Sequence, residues 1–296
     1  MTSATAPAQS PALVRRKPPA HVRRRRLLVA VADHSLLIVA ALVFLAPFVF
    51  IVLTAFMTNE QALSPDLWPH PFRFQNFADV FNEAPLWRYA LNSLTYGGLA
   101  TLFLLASSIP VAYALAKLRW RGREAAFLVV LVAMLLPPQV TVIPVYVMWA
   151  KLHLVGSLWP LILPNLLGDA FSIFLLRQFF RSVPDELADA ARVDGASHWQ
   201  IMTRVIVPLA KPAIAAVALF NFLYAWNDFF APLLYVGEDS HSWTIAIGLS
   251  EFKALHHVYW NLTMAASLLF MIPVIILFFL AQKVFIEGIT VTGVKG

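Results

Sequence analysis

The sequence predicts an all-α polytopic membrane protein with six transmembrane helices and a helix-turn-helix loop between the fourth and the fifth. Three observations carry this reading. The 296 residues are 60% hydrophobic and only 13% charged, against roughly 25% charged in an average soluble domain. The charge-free stretches reach the length of about 20 residues that a helix needs to cross a bilayer. Their runs, such as FLVVLVAMLL, lack the apolar-polar alternation of a membrane β-barrel.

Residues 1–32 are rich in Ala, Pro and Arg without apolar periodicity, and are expected to form a disordered basic arm ahead of a membrane domain over 33–296. The run RRKPPAHVRRRR abuts a span, so it reads as a topological anchor in contact with anionic lipid and not as a nucleic-acid site. The first span, Leu36 to Phe56, is too long for a signal-peptide core and is expected to be retained. Tyr89 to Ala116, Ala125 to Ala150 and Val258 to Gln282 are three further uncharged spans. Leu154 to Phe180 contains Asp169 and Arg177, and Pro212 to Val236 contains Asp228; these complete the six.

Lys and Arg resist translocation, so their distribution orients the chain. Eighteen of the 22 lie in the N-terminal arm, the loop after the second span, the region after the fourth and the tail after the sixth. Only Arg73, Arg88, Lys151 and Lys253 lie on the other side. Both termini are therefore expected in the cytoplasm. The absence of cysteine excludes disulfides, thiolate metal sites and cysteine nucleophiles.

On the cytoplasmic side, Arg181 to Lys211 is longer and more polar than the other loops. Ser182 followed by Asp185 resembles a capping box, Pro184 suits a first helical turn, and Asp185 with Glu186 complements the positive end of the helix dipole. Gly195 supplies a stop, and a second helix is expected to place Trp199, Met202, Val205 and Ile206 on one face until Pro208. Such a pair either lies along lipid or enters a groove on a partner, and its acidic first helix disfavours anionic lipid.

Asp189-Ala190-Ala191, Asp194-Gly195-Ala196, Ile206-Val207-Pro208-Leu209 and Pro212 together resemble the coupling signature of the inner-membrane permeases of binding-protein-dependent ABC importers: Glu-Ala-Ala, two residues, Asp-Gly, then an Ile/Leu-Pro pair. Ser182-Val183-Pro184, Leu187, the Trp-Asn-Asp of the fifth span and the ending Gly293-Val294-Lys295-Gly296 are similar to the carbohydrate, or maltose-type, subgroup. Asp189 departs from the usual Glu by one methylene. The resemblance covers nearly the whole membrane portion and implies a loop, about 182–208, that docks on a separate ATPase. Glu186, Asp189, Ala190, Ala191, Asp194, Gly195, Ala196 and Pro208 are its expected coupling residues. It also implies a second homologous permease, two copies of the ATPase and an extracytoplasmic solute-binding protein on the outer loops, in a bacterial inner membrane. No Gly is followed by Lys, so the chain lacks a GxxxxGK[ST] phosphate loop. No cofactor is expected in this chain; ATP and Mg belong to the partner.

Ionisable groups inside a membrane face cavities or partners. Asn221, Tyr224, Trp226, Asn227 and Asp228 combine hydrogen-bonding groups with aromatic faces, as a desolvated sugar requires. The same residues would equally hold helices together or sit in an interfacial belt. Asp169 follows the Pro/Gly-interrupted stretch Pro164 to Gly168, where the helix should break; it either caps the following half or lines a path. Gly97-Gly98 and Ser107-Ser108 read as close helix packing. The adjacent His256-His257 pair does not converge on one ion, so no metal site is expected. No triad can be assembled, so the chain is expected to be non-catalytic. An ion-coupled secondary transporter, with Asp169 and Asp228 as coupling carboxylates, is the rival class. A permease for a polyol or glycerol phosphate is another, although phosphate favours an inward Arg or Lys, and none lies deep in the path.

Overall fold

The computed structural model describes residues 20–237, 239–254 and 257–292. The chain divides into two compact units, Met1–Phe50 and Ile51–Gly296. The described part of the first unit is helical, within α1 (Ala20–Ala55), which continues past Phe50. Residues 20–32, which the sequence places in the expected disordered arm, are thus helical. Arg is a good helix former, and beyond Pro19 nothing interrupts the chain before Pro47.

In the second unit, a turn, α2 (Asn59–Ala62), carries a capping box between Thr58 and Gln61, and a short helix, α3 (Asn76–Glu83), follows. The Asn76 amide donates to the carbonyls of Ala55 and Met57, both at 2.8 Å, and fixes α3 there. The central element is α4 (Leu86–Lys117), a single 32-residue helix. After it come α5 (Arg123–Met134) and α6 (Pro138–Lys151), bent 96° to one another. The stretch Ala125 to Ala150, expected as one continuous span, is thus broken. Pro137 and Pro138 lack N–H groups, and the residue before a proline is driven out of the α region.

The fourth span breaks where Pro164 to Gly168 predicts: α7 (Trp159–Ile162) runs into a 3-10 turn, Leu163–Leu167, and α8 (Ala170–Ser182) starts after Gly168 at φ 82°. The helix pair α9 (Asp185–Val193) and α10 (His198–Ile201) follows. A π turn, Met202–Ile206, and a short α11 (Val207–Leu209) lead into α12 (Lys211–Asn227) through an 80° bend. A break at Asp228 separates α12 from α13 (Phe230–Val236), and α14 (Ile245–Glu251) follows. A two-residue antiparallel pair, β1 (Lys253–Ala254) and β2 (His257–Val258), precedes α15 (Trp260–Thr292). Among the described residues, four helices are long and apolar enough to cross a membrane, or six segments if each bent pair counts as one span. His256 and Gly293-Val294-Lys295-Gly296 lie outside the described residues.

Helix α4 packs most extensively against α8 and α12. A Cβ at Gly97 would stand 3.0 Å from the Phe222 ring, so glycine sets the α4–α12 distance, whereas Gly98 faces open space. Ser107 and Ser108 secure the broken span: Ser107 Oγ donates to the Asn165 carbonyl at 2.8 Å, and Ser108 Oγ accepts from the Asp169 N–H at 3.4 Å. At the Leu86 end of α4, Gly248 on α14 lies against Tyr89, and an added Cβ would overlap the Tyr89 ring. Gly248→Ala is therefore expected to destabilise the fold by about 1–3 kcal/mol, as overpacking does. Gly98→Ala should be close to neutral. Thermal unfolding of the two variants in one detergent checks both.

Candidate functional site

The hairpin α9–α10 forms one candidate surface. Its inner side is apolar: Ala188, Ile201, Met202 and Ile206 are buried in a core shared with Leu176 and Phe180 of α8 and Ala213 and Val217 of α12. Burying side chains the size of Ile201 and Ile206 is worth about 2 kcal/mol each relative to water. The sharp turn has a defined geometry. Gly195 sits at φ 83°, its N–H bonds to the Arg192 carbonyl at 3.0 Å, and the Ala196 N–H returns to the Ala191 carbonyl at 3.0 Å. That is the helix-ending arrangement glycine permits.

The capping box is at Ser197, not at Ser182. Ser197 Oγ accepts from the Gln200 N–H, and Gln200 Oε1 accepts from the Ser197 N–H at 2.8 Å. Ser182 is the last residue of α8, and Pro184 precedes the first turn of α9 as its cap. Asp185 is otherwise engaged. Its carboxylate takes a 2.6 Å ion pair from Lys117 at the end of α4, and the same ammonium donates to the Val183 carbonyl at 2.6 Å. The Lys117 hydrogen bond and charge hold the Asp185 carboxyl below the usual aspartate range. The Lys117 side chain is itself only 4% exposed. Sequence reasoning counted Lys117 as a topogenic charge and missed this tether, because its partner lies 68 positions away.

The expected face of the second helix is also corrected. Met202 and Ile206 are buried and Val205 is partly so, but Trp199 is 65% exposed. The π turn Met202–Ile206 changes the angular spacing, so an ideal 3.6-residue period does not carry Trp199 onto the same side. Outward-facing residues are Glu186, Asp189, Ala190, Asp194, Gly195 and Pro208, with Ala191 and Ala196 half-buried. Asp189 pairs with Arg192 on its own helix at 2.5 Å. Leu187, Val193 and Trp199 add exposed apolar surface, Val193 being 89% exposed.

The second candidate surface is a wall of α4, the broken fourth span and α12. One recess, of about 150 Å³, lies among Tyr96, Asn165, Asn221, Tyr224 and Asp228. Another, of about 410 Å³, lies among Asn165, Asp169, Ser172, Asn221 and Tyr224. Asp228 ends α12 and receives the Tyr96 hydroxyl at 3.0 Å and the Ala231 N–H at 3.2 Å. Asp169 caps α8, accepting from the Ser172 N–H at 2.8 Å and the Ser172 hydroxyl at 2.7 Å. Both carboxylates thus cap helices and also line recesses. Trp226 and Asn227 do neither. Trp226 is 3% exposed in the core, stacked on Phe222 at 5.7 Å, and Asn227 bonds back to the Leu223 carbonyl. Period decides this, since a residue two positions after Tyr224 points to another side of α12.

Residues 108–291 match the family described as "Binding-protein-dependent transport system inner membrane component". The chain belongs to that family. The permease is 32% identical to the "Arabinooligosaccharides transport system permease protein AraQ" of Bacillus subtilis (strain 168), over 86% of this chain and 92% of that one. It is also 32% identical to the "sn-glycerol-3-phosphate transport system permease protein UgpE" of Shigella flexneri serotype 5b (strain 8401), over 88% and 96%. A crystal structure of a bacterial ABC transporter that imports the acidic polysaccharide alginate superposes with a TM-score of 0.76. At 24% identity, covering 88% of the permease and 97% of that chain, it shows the shared fold. The matched region includes the hairpin and the α8 and α12 sides of the recessed wall, all in the permease's second unit.

Proposed function

We propose that the permease forms half of the translocation path of an ATP-driven importer for a sugar or oligosaccharide in a bacterial inner membrane. A second, homologous permease supplies the other half. Two ATPase copies carry ATP and Mg, and an extracytoplasmic solute-binding protein delivers cargo. Both termini lie in the cytoplasm, on the side of the hairpin. The observation that carries the reading is the hairpin's division of faces: an apolar side fixed in the bundle core, and an opposite side that exposes Leu187, Val193 and Trp199 beside Glu186, Asp189 and Asp194. A connector in water has no reason to present that much apolar surface, whereas a helix seated in a partner's groove does. ATP-driven closure of the motor pair would move this hairpin, and with it the spans around the recesses, between inward-facing and outward-facing arrangements. A sugar relative in this family and the polar, aromatic-edged recesses at Asn221 and Tyr224 favour carbohydrate as cargo.

Affinity purification of the intact chain from its native membrane tests the assembly. A nucleotide-binding subunit and a second permease are expected to come with it in stoichiometric amounts. Recovery of the chain without any nucleotide-binding protein would sink the reading, and uptake abolished by an ionophore but indifferent to the ATPase would favour an ion-coupled carrier.

A further inference from the structure

The two recesses share Asn165, Asn221 and Tyr224, so they form one continuous wall with Asp228 at one end and Asp169 at the other. Among the described residues, no Lys, Arg or His lines either recess. Asn165 gives its amide hydrogens to the carbonyls of Leu161 and Ile162, at 3.0 and 3.2 Å, which leaves its own carbonyl oxygen with free capacity. Asn221 donates to Thr101 Oγ1 at 3.2 Å, and the Tyr96 proton is committed to Asp228. Both carboxylates accept hydrogen bonds, Asp228 from Tyr96 and Ala231 and Asp169 from Ser172. Open hydrogen-bonding groups of both kinds remain, the Asn165 side-chain oxygen and carboxylate lone pairs as acceptors and the Tyr224 hydroxyl as a donor, but the charged groups among the described lining residues are two carboxylates without a cation.

We propose that this wall selects solutes rich in hydrogen-bond donors and free of negative charge, such as neutral polyhydroxylated or amine-bearing sugars, and turns away phosphorylated or carboxylated ones. The proposal rests on the reading of the recesses as the solute path. A hydroxyl or ammonium group finds open acceptors here and satisfies them as it leaves water. A phosphate or carboxylate group faces two carboxylates and no lining cation, in a space where water screens charge poorly. Selection by this wall is separate from selection by any binding protein, because it acts after delivery.

The absence of cysteine from the chain makes a direct probe available. In the full-length protein in lipid nanodiscs, Tyr224→Cys replaces a side chain that is 68% exposed and lines both recesses. Its reaction rates with a cationic and an anionic methanethiosulfonate of similar size report the local potential. The cationic-to-anionic ratio is expected to exceed that of a small free thiol by roughly 10-fold. Asp169→Asn with Asp228→Asn should bring it back towards the free-thiol value, since Asn caps helices about as well as Asp. Phe220→Cys, on the same wall, provides the same measurement if the Tyr224 variant does not accumulate. Reaction without charge preference, or a preference that survives both Asn replacements, overturns the selection while leaving the path intact. A thiol silent to both reagents at both positions shows a wall without water, which removes the path reading and this proposal with it.

Discussion

Gly195→Pro is expected to cut recovery of the ATPase with the permease, and solute uptake, by more than 10-fold while the membrane bundle stays folded. Proline fixes φ near −65°, and Gly195 sits at φ 83°. The substitution also removes the N–H that bonds to the Arg192 carbonyl. The turn between α9 and α10 cannot survive in its present form, so the outward face they share is lost. Gly195→Ala is the graded counterpart. Nothing lies within 4 Å of an added Cβ there, so the only cost is the left-handed backbone, about 1–2 kcal/mol. It should leave a partly active complex. Co-purification of the two variants beside the unaltered chain, with thermal unfolding as a check on the bundle, makes the measurement. Full ATPase recovery with the proline would show that the motor docks elsewhere.

Arg177→Ala is expected to be the most destabilising change at the hairpin end of the bundle, by about 3 kcal/mol. Arg177 is 2% exposed although it carries a full charge. From α8, its Nε donates to the Leu115 carbonyl on α4 at 3.2 Å, and a terminal nitrogen donates to Glu124 on α5 at 3.2 Å. The guanidinium lies over the Phe127 ring, 3.6 Å from its centroid. One side chain therefore joins three helices. The ion pair contributes little, because Glu124 is two-thirds exposed and screened. Packing, the carbonyl left without its donor and the ring contact contribute the rest. Arg177→Lys keeps the charge but not the planar fork, and should recover under half of the loss. Unfolding midpoints in one lipid composition separate the three proteins; a value within 0.5 kcal/mol of the unaltered chain for Arg177→Ala would refute the staple.

Much of this architecture is written in local sequence. Charge-free length locates α4 and α15, Pro164 to Gly168 locate the break before α8, and Gly195 locates the turn of the hairpin. Each depends on one or two residues whose backbone preference no distant contact can override. Features set by distant partners were not legible. The Lys117 tether joins positions 68 apart, and Arg177 is only an unexplained charge in the fourth span until α4 and α5 surround it. The misplaced capping box has another cause. Ser182 and Ser197 both fit the pattern, but Lys117 claims the Asp185 carboxylate, leaving Ser197 and Gln200 to form the reciprocal pair. Among Asn221, Tyr224, Trp226, Asn227 and Asp228, helical angle decides which line the recess, so Tyr224 and Asp228 do while Trp226 turns into the core.

Helix α4 carries Tyr96, against Asp228, near one end and Lys117, bound to the start of α9, at the other. The 21 steps from Tyr96 to Lys117 span about 31 Å at 1.5 Å per residue. A stiff rod of that length works as a lever arm: pivoting by 10° displaces one end by roughly 5 Å relative to the other. Pro110, the one residue between these ends without an N–H, is where such a swing would be absorbed as bending before it reached the far side.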